Sequence, residues 1–213
     1  MLSTDGIIRS HPRWDAHDLV ATASHLFLPA IAVIGGGFFI DHALDGYARP
    51  IAALVPTVAV GFIAYGEYQT VDFGSRRYGS VRLALAVATY LAAFAAYTVI
   101  FTNNISIVLG SIYVGVVSLL LAIELLRESR QFGSSSALVG LAIGLTLAEL
   151  RLALYFFPLD GLLAGALLII GFYLATGLVH HLLDHDLEWS TTAEYLLVAA
   201  VGAVAVVVTR VAV

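Results

Sequence analysis

The chain has 213 residues, of which 60% are hydrophobic and only 12% are charged. A soluble domain carries about 25% charged residues, so this composition argues against a water-soluble globule and for a chain with lipid as its outer solvent. With no cysteine, no lysine and a net charge of −5, the sequence also excludes disulfides, thiolate chemistry, a lysine Schiff base to retinal or pyridoxal phosphate, and a basic face for nucleic acid.

In chain order, the first eighteen residues, MLSTDGIIRSHPRWDAHD, mix charges with a proline and a tryptophan. They lack the apolar core and small-residue cleavage site of a signal peptide. A retained polar tail is expected over 1–18, and a single transmembrane domain over 19–213. A membrane-spanning helix needs about 20 mainly apolar residues. Seven stretches meet that need: 19–40, 50–65, 81–101, 105–126, 136–157, 161–181 and 193–213. Pro29 in the first predicts a kink. The triplet GGG at 35–37 also lies in the first and follows no strand, so it is not a phosphate loop. The second stretch is the shortest and holds Pro56. The triplet DFG at 72–74 stands in an interhelical loop without kinase context. Only TNN separates the third and fourth stretches and only PLD the fifth and sixth, so these neighbours are antiparallel. Gly140 and Gly144, like Gly161 and Gly165, are spaced to let helix backbones approach closely. The predicted fold class is an all-α bundle of about seven transmembrane helices.

Arginine placement sets the expected orientation. With the N-terminus inside, one side carries Arg9, Arg13, Arg76, Arg77, Arg82, Arg127 and Arg130, and the other only Arg49 and Arg210. Trp14 and Trp189 then both fall at the inner interface, where amphipathic rings are favoured. The C-terminus is outside. A cell membrane of a bacterial or archaeal type is expected.

Ionisable groups inside a bilayer cost a few kcal/mol and are functional candidates by default. Glu149 and Arg151, in LAELRLALYFFP, are the clearest. An i,i+2 pair points to opposite sides of a helix, so each is expected to have its own partner on another helix. Arg210 is the candidate for Glu149; Asp160 or Asp41 is the candidate for Arg151. A second group gathers at the inner ends of the spans: His25, Glu67, Glu124 and Glu194, with Tyr65, Tyr68 and Tyr195.

The stretch LVHHLLDHDLEW packs three histidines and three acids between His180 and Glu188. If the sixth helix continues past Leu183, His181, Asp184 and His185 share one face and form a partial shell for a divalent metal such as zinc. Glu67, Glu124 or His25 would complete it. The plainer reading is a polar connector. Histidines suit a helix C-terminus, and Ser190, Thr191 or Thr192 would cap the seventh helix, with Glu194 closing a capping box on Thr191.

From Glu149 onward, the segments ELRLALYFFP, GFYLATGLVHHLL and EYLLVAAVG resemble an uncharacterised family of polytopic bacterial membrane proteins, known only as a domain of unknown function. That resemblance implies a multi-span fold and no particular activity. Seven spans also invite comparison with microbial rhodopsins, which the missing lysine defeats. A further comparison is with seven-span zinc hydrolases of the alkaline ceramidase type, on Ser24, His25, His181 and His185; the spacing differs from theirs. Three functions follow. The first is a non-catalytic scaffold or accessory subunit of a membrane complex, partnered by lipids and by another membrane protein or a second copy. The second is a metal-dependent enzyme acting on a lipid at the inner face. The third is a small solute or proton-coupled transporter using Glu149 and Arg151. No complete catalytic set is present, which favours the first.

Overall fold

The computed structural model describes residues 19–43, 48–70, 78–103, 105–126 and 134–212, and side chains within 26–41, 57–70, 78–103, 105–126 and 137–211. Seven helices run through these residues: α1 (Leu19–Ala43), α2 (Ala48–Thr70), α3 (Tyr78–Thr102), α4 (Ile107–Leu126), α5 (Ser134–Leu154), α6 (Gly161–Leu183) and α7 (Trp189–Ala212). Each predicted stretch falls mainly on one helix, with 105–106 ahead of α4, 155–157 beyond α5 and 213 outside the described residues, and the described residues contain no strand. Five helices, α3 to α7, are long and apolar enough to cross a membrane; in α1 the described apolar part is the shorter Leu26–Asp41. GGG at 35–37 is ordinary α1 helix and Pro29 is accommodated within the same helix. DFG at 72–74 lies outside the described residues.

Two compact units divide the chain, residues 1–92 and 93–213, with the boundary inside α3. In the first, α1 packs on α2. Its interior holds Leu28, Ile31, Ile63 and Leu85. Gly66 lets α2 approach Leu85 of α3: a Cβ there would stand 2.9 Å from the leucine side chain.

The second unit is built around the α4–α5 pair, with α6 against both and α7 against α6. Backbones close to contact at Gly115 and Gly144. A Cβ on Gly144 would meet the Gly115 carbonyl oxygen at 2.5 Å. Gly161 and Gly165, one turn apart on α6, seat Thr102 and Thr98 of α3 in the same way. Small residues thus set the helix spacing, as expected where close van der Waals packing holds helices together. Leu121, Leu147, Leu168 and Phe172 fill the interior between them.

Hydroxyl groups are folded back onto their own helices. Thr89, Thr102, Ser118, Thr146, Thr176 and Thr209 each donate to the carbonyl four residues earlier, at 2.7–2.9 Å. Such a bond hides a polar atom within its own helix. Tyr97 adds a tertiary bond: its hydroxyl lies 2.7 Å from Ser118 Oγ, with both residues buried.

Candidate functional site

At one end of the second unit, Arg151 occupies the last turn of α5 and is 1% exposed. Its Nη1 donates to the Ile107 carbonyl at 3.1 Å and its Nη2 to the Ile105 carbonyl at 3.0 Å. The guanidinium also lies over two rings, 5.3 Å from the centre of Phe101 and 5.2 Å from that of Tyr155. Gly110 makes room for it: a Cβ there would stand 2.6 Å from Nη2. Nε has no hydrogen-bond partner among the described residues.

Burying a cation costs several kcal/mol even after relaxation. Two charge-assisted bonds return about 1.5–3 kcal/mol each. A desolvated ring contact adds about 2 kcal/mol, and the helix C-terminus somewhat less. These terms are of the same size as the cost, so the carbonyls and rings suffice to hold the charge. Asp160, one of the two acids expected to pair with Arg151, is not needed for this. Asp160 is engaged elsewhere: it caps α6, its Oδ1 accepting from the Leu163 amide at 2.8 Å. The first turn of a helix has amides to satisfy, and a preceding aspartate does this well.

Arg210 stands in the last turn of α7. Its Nε donates to the Pro158 carbonyl at 2.8 Å. It does not pair with Glu149, for a reason of depth. Pro158 lies in the connector beyond Leu154, where α5 ends, whereas Glu149 lies five residues inside that end, about 7 Å at ~1.5 Å per residue. Glu149 itself is exposed on α5 and touches no polar group among the described residues. The i,i+2 geometry thus holds as expected: Arg151 turns inward and Glu149 outward.

At the opposite end, α6 stops at Leu183 and does not continue. The stop is a Schellman arrangement. His185 takes a left-handed conformation with φ 59°. Its amide donates to the Leu182 carbonyl at 3.3 Å, and the Asp186 amide to the His181 carbonyl at 3.1 Å. That pattern satisfies the orphan carbonyls of the last turn, and it removes His185 from the helical face it would have shared with His181. His181 Nδ1 instead lies 3.0 Å from Asp186 Oδ1. His180 Nε2 lies 3.6 Å from Asp184 Oδ2. Among the described residues no group of three or more histidine, aspartate or glutamate side chains is placed to hold a metal ion.

The His181 ring sits edge-on to Tyr195, with centroids 5.7 Å apart, and Tyr195 leans on Tyr173 at 5.1 Å. Gly177 on α6 leaves the space for the Tyr195 ring. A histidine held at Nδ1 by a carboxylate has a fixed orientation, which is one part of general-base chemistry. Two hydroxyls of the connector are bound elsewhere. Ser190 Oγ donates to Glu188 Oε2 at 3.3 Å and Thr192 Oγ1 to the Glu188 carbonyl at 3.1 Å. Because α7 begins at Trp189, Thr191 lies inside the helix rather than at its cap. The helix entry is tied instead to Glu188, whose carbonyl also accepts the Thr192 amide at 3.0 Å.

Of the remaining candidates, Glu124 is buried in the last turn of α4 and Glu67 is buried in α2. Glu194 is exposed on α7 and Asp41 at the end of α1. Tyr65 is exposed and accepts from Gln69 Nε2 at 2.9 Å. Ser24 and His25 belong to α1, but their side chains lie outside the described ones. Sequence reasoning missed the Tyr97–Ser118 bond and the aromatic box of Arg151. Tyr155 was findable, being i+4 from Arg151. The carbonyls of Ile105 and Ile107 carry no side-chain signal.

The family described as "Protein of unknown function (DUF5656)" matches residues 2–209, nearly the whole chain. No curated protein and no solved structure matches.

Proposed function

The chain belongs to this family of unknown function, and we propose that it is a non-catalytic integral membrane protein, a scaffold or accessory subunit of a larger membrane complex. Seven spans, with the N-terminus inside and the C-terminus outside a cell membrane of prokaryotic type, form its frame. The observation that carries this reading is the use made of Arg151. Its guanidinium is tied to the backbone at the start of α4 and boxed by two rings, so it fastens α5 to α4. A solute or proton path that used Glu149 and Arg151 together would need them on one side of α5, and they face opposite ways. The apolar side chains exposed along α4, α5 and α7, such as Leu109, Leu145 and Val201, suit a lipid surface.

The test is extraction of the tagged protein from its native membrane into lipid–polymer discs, followed by native mass spectrometry. A particle holding a second protein at fixed stoichiometry is the expected result. A particle of this chain and lipid alone, under conditions that preserve a known complex of the same membrane, would overturn the proposal.

A further inference from the structure

Glu149 is the anomaly of the second unit. Apart from Thr146, whose hydroxyl is turned back to the Ala142 carbonyl, the face of α5 that carries it is apolar and exposed: Leu138 is 69% and Leu145 57% exposed, and Ala142, Leu152 and Ala153 are exposed beside it. In the membrane reading, on which this inference rests, that face meets lipid. A carboxylate there costs a few kcal/mol unless it is paired. Among the described residues, the cations of the same unit do not supply the pair. Arg151 is buried on the other side of α5, and Arg210 is bonded to Pro158 beyond the helix end. His180 and His181 are at the opposite end, in the last turn of α6.

We propose that this face of α5 docks a transmembrane helix of a different protein, one that carries a single basic residue at the depth of Glu149. Charge complementarity decides between the two candidate occupants. A second copy, inserted in the same orientation and joined through the same face, brings another Glu149 to the same depth, and like charges at that depth repel. A basic residue leaves the carboxylate ionised and neutralises it. Ala142 and Ala153 bracket Glu149 with short side chains, so a partner helix comes close enough for a direct bond.

The experiment uses the full chain in phosphatidylcholine vesicles with synthetic leucine-rich transmembrane peptides. Three peptides carry arginine, glutamine or leucine at the matching depth, and association is read by energy transfer between dyes. Pairing of opposite charges in lipid predicts that the arginine peptide binds about tenfold more tightly than the leucine peptide. Glu149→Gln and Glu149→Ala should both abolish that preference. Equal binding of all three peptides, or a preference that survives both substitutions, overturns the proposal. So does Glu149-dependent self-association without peptide. A nitroxide on a cysteine replacing Leu145 separates this failure from that of the membrane reading. Relaxation by oxygen places the face in lipid, so that an absent arginine preference sinks the docking alone; relaxation by a water-soluble nickel chelate sinks both.

Discussion

Arg151 shows how a single charge is accommodated by backbone and rings. Replacing it by methionine leaves the Ile105 and Ile107 carbonyls without their donor, at about 1–3 kcal/mol for each. Arg151→Met should therefore destabilise the protein by about 2–4 kcal/mol. Arg151→Lys should recover only part of the loss, because an ammonium lacks the planar fork. Gly110→Ala attacks the same arrangement from the other side, since its Cβ would fall 2.6 Å from Nη2; overpacking of this kind costs about 1–3 kcal/mol. Unfolding in mixed micelles titrated with a denaturing detergent measures all three. A change below about 0.5 kcal/mol for Arg151→Met, the range of an inconsequential surface substitution, would refute the structural role. Residues 149 and 151 were legible as unusual because charges are rare in apolar stretches. Their partners were not legible, since carbonyls occur at every position and only the fold selects two of them.

Where α4 and α5 cross, tolerance at the two glycines should differ. A methyl at Gly144 runs into the Gly115 carbonyl at 2.5 Å, whereas one at Gly115 meets the Gly144 carbonyl at 3.2 Å and the Ala148 methyl at 3.3 Å. A backbone atom cannot swing aside as a side chain does. Gly144→Ala should cost about 2 kcal/mol or more and Gly115→Ala about 1 kcal/mol or less, within the usual range for overpacking. The reverse order in the same unfolding titration would mean that the helices cross elsewhere. Gly140 and Gly144 announce this contact through their spacing, but Gly115 has no such partner glycine. Helix ends were less readable. The metal shell on His181, Asp184 and His185 required a helix continuing past Leu183, and the left-handed turn at His185 ends it there, as the polar-connector reading had it. Glycine is the usual residue at that position, so a histidine there gives the sequence no stop signal.

For the whole molecule, the absence of cysteine makes the proposed topology directly measurable. Single cysteines replacing Asn103 or Phe157 should react with a membrane-impermeant maleimide from outside intact cells, and one replacing Glu188 only after lysis. Labelling in the opposite sense would invert the orientation read from the arginines. The seven helices were legible because an apolar run of about 20 residues has few alternatives to a helix once water is excluded. Composition and hydropathy are sums over a segment, and they survive ignorance of every contact. Sequence alone therefore determined the helical class, the helix order and the two residues, Glu149 and Arg151, that break the apolar pattern. Tertiary structure alone decided that Arg151 bonds the start of α4, that Asp160 caps α6 instead of pairing with it, and that His181 and His185 part at a helix end. Those outcomes depend on which backbone groups arrive within about 3 Å of one another, the reach of a hydrogen bond, and side-chain identity and spacing do not encode that.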